Sequence, residues 1–100
     1  MKRLPTILLL AIAAPAIAHY DDNQVIYEAS TLVTWCRAEA EMRYRVQNIT
    51  PYQWTASHHV SVDTLYVDGK LRVHGDDVVV RCRMLSGART ATAIVEIDDS

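Results

Sequence analysis

The sequence predicts an α+β domain in which one N-terminal helix packs on an antiparallel meander of four to five strands, joined to it by a helix-to-sheet disulfide. Three observations predict it. Apolar residues recur with a helical period before Pro51 and with a period of two after it, and the two cysteines of the chain fall on inward positions, one in each part.

The first residues set a compartment. Lys2 and Arg3 precede the apolar stretch Ile7 to Ile12, and Ala16-Ile17-Ala18 has the small-x-small form that signal peptidase accepts. Residues 1–18 are therefore expected to be a cleaved signal peptide and residues 19–100 a single domain beginning at His19, periplasmic or secreted. Pro15 interrupts an apolar stretch much shorter than the roughly 20 residues a spanning helix needs, so no stable membrane anchor is expected. Loss of Lys2 and Arg3 makes a chain of net charge −2 still more acidic, which removes any general attraction for nucleic acid or anionic membrane.

Asp21 with Gln24 resembles a helix cap, and a helix from Asp22 to Asn48 would place Val25, Ile26, Ala29, Leu32, Val33, Cys36, Ala40 and Tyr44 on one face. Such a helix would be about 40 Å long, so a bend near Ser30-Thr31 is expected. Pro51 disfavours helical geometry in the residue before it, and the pattern stops at Asn48 to Pro51. Glu39 with Arg43 and Glu41 with Arg45 are spaced as ion pairs on the solvated side.

Beyond Pro51, Tyr52, Trp54, Ala56, His58, Val60 and Val62 alternate with polar residues as a strand. Three turns are then expected. A bulged turn at Val67 to Lys70 with Gly69 left-handed sets Leu65 opposite Leu71. A Gly75-Asp76 turn sets Val73 beside Val78 and Leu71 beside Val80. A Gly87-Ala88 turn pairs Met84 with Ala91, Cys82 with Ala93, Val80 with Val95 and Val78 with Ile97, giving a small apolar face for the helix.

Cys36 centres the helix stripe and Cys82 shares the inward parity of Val78, Val80 and Met84, so in an exported chain the two are expected to be bonded. Neither belongs to a C-x-x-C motif, which argues against a reactive thiol. His58 and His59, adjacent on a strand, project to opposite faces and do not share an ion; His58 is expected at the edge of the core. No metal or cofactor is expected. Ser57 with His58, and Ser61 with His59 and Asp63, lack an oxyanion loop, and the carboxylate pairs fall at turns and termini, so no enzymatic activity is expected. Asn48-Ile49-Thr50 matches a glycosylation acceptor. Trp35 and Trp54 are expected to close the end of the core, or else to anchor a contact.

The outward sheet parity carries Tyr66, Lys70, Arg72, Arg81 and Arg83, a cationic group in an acidic protein. Such a face suits an acidic partner protein, or an anionic glycan, because Arg binds carboxylates bidentately and cationic complementarity guides association. At the level of the fold the arrangement is similar to several small exported inhibitor and immunity domains. The expected function is a non-enzymatic binding domain that neutralises a toxin or hydrolase. The alternative is an envelope accessory protein that binds a glycan, peptidoglycan or another subunit, and a small hydrolase is a third class. The oligomeric state and the partner's identity are not legible in the sequence.

Overall fold

The computed structural model describes residues 23–99; the expected signal segment and the expected cap at Asp21 lie outside them. The chain runs β1 (Val25–Ile26), α1 (Ala29–Arg45), β2 (Tyr52–Ser61), β3 (Thr64–Val73), β4 (Asp76–Leu85), β5 (Ala88–Arg89), a 3-10 turn (Thr90–Thr92) and β6 (Ile94–Asp98). One antiparallel sheet has the order β2-β3-β4-β6, and β1 pairs with β5 in a second, two-stranded sheet. The helix packs on one face of the larger sheet, as the α+β reading requires, and Cys36 is bonded to Cys82 across that interface.

The helix is shorter than its apolar pattern. Its first carbonyl acceptor is Glu28, whose oxygen receives the amides of Thr31 and Leu32 at 3.1 and 3.2 Å. Val25 and Ile26 are extended instead, as β-branched residues readily are. Ile26, 1% exposed, reaches the core from that strand. Gly87 donates its amide to the Ile26 carbonyl at 2.7 Å and Thr90 donates to Gln24 at 2.8 Å. A helix through this segment would leave those groups without partners. No bend at Ser30-Thr31 is needed, because the helix begins at Ala29, immediately before them.

The other end is set by Asn48 rather than by Pro51. Asn48 is left-handed at φ 63°, the Ile49 amide donates to the Tyr44 carbonyl at 3.0 Å, and the Asn48 amide donates to Arg45 at 3.0 Å. This Schellman closure satisfies carbonyls that the last turn would otherwise orphan.

The largest departure is at Gly69. The expected bulged turn is absent: β3 passes straight through Asp68 and Gly69, and the hairpin closes earlier, with Ser61 opposite Thr64. Leu65, Val67, Gly69, Leu71 and Val73 therefore form one inward row, and Leu65 is not opposite Leu71. Glycine is needed here for space. A Cβ on Gly69 would lie 2.3 Å from Cη2 of Trp54, whose indole crosses the inward face from its place opposite Leu71.

The two later turns are displaced but keep the expected parity. The β3-β4 turn is His74-Gly75, both at positive φ (54° and 84°), which is the geometry a twisted two-residue hairpin favours. Leu71 consequently faces Val78, and Val73 faces Asp76. After Gly87 the chain leaves the larger sheet to pair with β1, so β6 joins β4 with Cys82 opposite Val95 and Val80 opposite Ile97. Each shift is by two residues, and the same side chains still point inward. The core comprises Leu32, Trp35, Cys36 and Ala40 from the helix, packed on Leu65, Val67, Leu71, Val78, Val80, Cys82 and Met84.

Candidate functional site

All described helical and 3-10 residues lie to one side of the larger sheet, and its other face is left open. The pairing of β3, β4 and β6 brings the five expected contact residues onto this open face. Tyr66 is opposite Arg83, Asp68 opposite Arg81, Lys70 opposite Val79, and Arg72 opposite Asp77; Glu96 lies opposite Arg81 on the far side. Between Thr55, Ser57, Asp68, Lys70, Val79 and Arg81 is a shallow depression of about 500 Å³.

The electrostatics are more balanced than the cations alone suggest. Arg81 Nε is 3.5 Å from Asp68 Oδ1, Arg83 Nη1 is 3.6 Å from Glu96 Oε1, and Arg72 Nη1 is 3.1 Å from Asp77 Oδ1. Arg72 also donates to the Gly75 carbonyl. Tyr52, directly across the ladder, and then Asp77 hold its guanidinium more firmly protonated than usual. Among the described residues Lys70 has no ion pair. Arg81 and Arg83 thus turn part of their donor set toward a carboxylate and keep much of the side chain exposed, whereas Arg72 is held from several sides. Asp68 could have been found in the sequence once β3 was read as continuous, and Asp77 once the turn was placed at His74-Gly75.

The histidines fall apart as adjacent strand residues must. His59 is on the open face, stacked on Tyr66 with ring centroids 4.7 Å apart and planes within 7°. His58 points to the helix side but is exposed, because helix cover does not extend to the hairpin end of β2; the expected place at the core's edge is not observed. Ser57 and His58 consequently project to opposite faces. Among the described residues no three His, Cys, Asp or Glu side chains converge as a metal-holding group. Neither Cys36 nor Cys82 is a free thiol.

No protein-family model, curated protein or solved structure matches the chain. Its functional reading therefore rests on its own geometry.

Trp35 is buried in the core at 3% exposure, the core-closing place expected of it, whereas its neighbour one turn on departs from expectation. Glu39, expected as the ion-pair partner of Arg43, is 8% exposed, and its Oε2 has no hydrogen-bond partner among the described residues. It lines a hollow of about 230 Å³ with Trp35, Arg43, Thr90 and Val95. The exposed side of the helix is instead organised around Glu41, 3.0 Å from Arg37 and 3.6 Å from Arg45. One-turn spacing from Leu32 and Cys36 puts Trp35 and Glu39 on the flank of the stripe, which is the signal that could have marked them.

At the helix end the Tyr44 hydroxyl donates to Asp99 Oδ2 at 3.3 Å. Burial, then the charge of Asp99 and this bond, raise its pKa above 10. Since the folded value exceeds the unfolded one, the resulting stabilisation is present below pH 10 and is lost as pH rises through the folded value. Absorbance titration at the phenolate band should show one late-ionising tyrosine that disappears in Tyr44→Phe and ionises earlier in Asp99→Asn. Unchanged titration of the Asp99→Asn protein would refute the coupling.

Proposed function

We propose that the chain is a non-enzymatic binding domain acting outside the cytosol, which engages a protein partner through the open face of its sheet. The observation that carries this reading is the open face itself: guanidinium groups of Arg72, Arg81 and Arg83, each steadied by a cross-strand carboxylate, and a shallow depression that Lys70 and Arg81 line. Arginines already held in place lose less side-chain freedom on binding, and arginine and tyrosine are enriched among residues that dominate interface energetics. Mixed charge suits a polar protein surface of alternating sign better than a uniformly anionic polymer. The disulfide fits an oxidising compartment, and among the described residues no helix is long and apolar enough to cross a membrane. Neutralisation of a toxin or hydrolase, as by an inhibitor or immunity protein, is the form of binding we assign to it.

The test is the double reversal Arg81→Glu, Arg83→Glu. Both side chains are substantially exposed (59% and 43%), so thermal stability should change by no more than about 1 kcal/mol per lost pair. A stoichiometric protein captured from the extracytoplasmic fraction by the native domain should be lost with the reversed one, and association should weaken with salt. Equal capture by both proteins would move the contact surface elsewhere. Recovery of a sugar polymer instead would favour an envelope accessory role.

A further inference from the structure

The two edges of the larger sheet are built differently. The β6 edge is five residues long and carries Glu96 and Asp98, the charged, short form that discourages pairing with another chain. The β2 edge is ten residues long, and Tyr52–Ser61 contains no Asp, Glu, Lys, Arg or Pro. Apart from half-buried Trp54, every residue of β2 is exposed, including Tyr52 at 45% and Val60 at 56%. Fixing a strand's backbone costs about 1–2 kcal/mol per residue, and little burial on either side offsets that for β2.

We infer that this edge pairs with the same edge of a second copy, antiparallel about a two-fold axis at Ser57, joining two four-stranded sheets into one. The strand's own layout selects the second copy as occupant. Its regular part is bounded on one side by the irregularity at Gln53, where φ is 52° and the register shifts, and on the other by Ser61 at the hairpin. Ser57 is the midpoint. With Ser57 opposite its symmetry mate, Trp54 meets Val60 and Ala56 meets His58 on the helix side, while Thr55 meets His59 on the open side. Each strand thus supplies both halves of an aromatic–β-branched pair, a favourable cross-strand contact. Parity is also kept, so the inward faces of the two sheets are continuous. No charge on either strand opposes this register.

The backbone is poised for it. A two-residue connection between Ser61 and Thr64 makes that pair the hydrogen-bonded one, so Ser61, His59, Ser57 and Thr55 bond to β3. The amides and carbonyls of Trp54, Ala56, His58 and Val60 are then directed to the free edge, and these are the residues that pair in the two-fold register. Isologous pairing of this kind closes on itself and leaves no further β2 edge.

The test uses the oxidised, exported protein. Ser57 on the axis becomes a non-hydrogen-bonded pair with Cα atoms about 4.5 Å apart, within disulfide reach. Ser57→Cys should therefore oxidise almost completely to a covalent dimer, whereas Thr55→Cys, which meets His59 of the second copy, should not. Sedimentation equilibrium of the native protein should show a reversible dimer, and Val60→Lys should weaken it at least about tenfold with an unchanged circular-dichroism spectrum. A native protein that stays monomeric throughout the micromolar range, or equal cross-linking of the two cysteine variants, would overturn the inference. Failure of this pairing leaves the open-face contact untouched, because reversal of Arg81 and Arg83 does not alter β2.

Discussion

Replacement of Cys36 and Cys82 together by Ala should lower the free energy of unfolding by about 4 kcal/mol, the value that chain-entropy reasoning assigns to a cross-link closing a loop of this length. The two residues are 46 apart in sequence, at 0% and 2% exposure, and the bond ties the middle of the helix to the centre of β4. Strand β4 pairs on both sides, with Val67 and Val95 flanking Cys82, so the cross-link connects the helix to an interior strand of the sheet. A loss of this size is a large fraction of a small domain's net stability. Urea unfolding should show a lower midpoint and a steeper dependence on denaturant, because the uncrosslinked unfolded chain exposes more surface. Reduction of the native protein should reproduce both changes. An unchanged midpoint after reduction would mean that the helix and sheet hold each other without the bond.

The disulfide could be read from the sequence because two independent periodicities each carried a cysteine inward: the helical repeat through Leu32, Cys36 and Ala40, and the alternation through Val78, Val80, Cys82 and Met84. Parity proved more legible than register. Every turn was displaced, yet Tyr66, Lys70, Arg72, Arg81 and Arg83 still share a face, because each change of pairing preserved the alternation. What local pattern does not contain is the partner of an extended segment. Val25 and Ile26 fit a helical stripe as well as a strand, and only Ala88 and Arg89, more than sixty residues away, decide between them. The open face was legible as a set of cations but not as a set of ion pairs. Asp68 was assigned to a turn, and with it went the carboxylate beside Arg81.

Gly69→Ala should destabilise the protein by about 1–3 kcal/mol, although alanine in place of a strand glycine is ordinarily favourable. The reason is the indole of Trp54. The new methyl group would lie at 2.3, 2.8 and 2.9 Å from Cη2, Cζ3 and Cζ2, closer than carbon atoms approach, so the ring must leave the sheet. Leu71, fully buried opposite Trp54, would be uncovered as it left. Backbone strain is not the cause, since Gly69 is not among the residues at positive φ. The contact is a diagonal cross-strand pair, in which an aromatic ring covers a glycine that has no side chain of its own to bury. Coupling between the two positions follows directly. In a Trp54→Ala background the obstacle is gone, so the same Gly69→Ala change should cost almost nothing or stabilise by about 0.5 kcal/mol, as expected for a strand glycine. Tryptophan fluorescence should report the displacement, with Trp54 emission shifting red in Gly69→Ala while buried Trp35 stays as it is. Equal costs of Gly69→Ala in the two backgrounds would show that Trp54 does not rest on Gly69, and would leave the glycine's place in β3 without this reason.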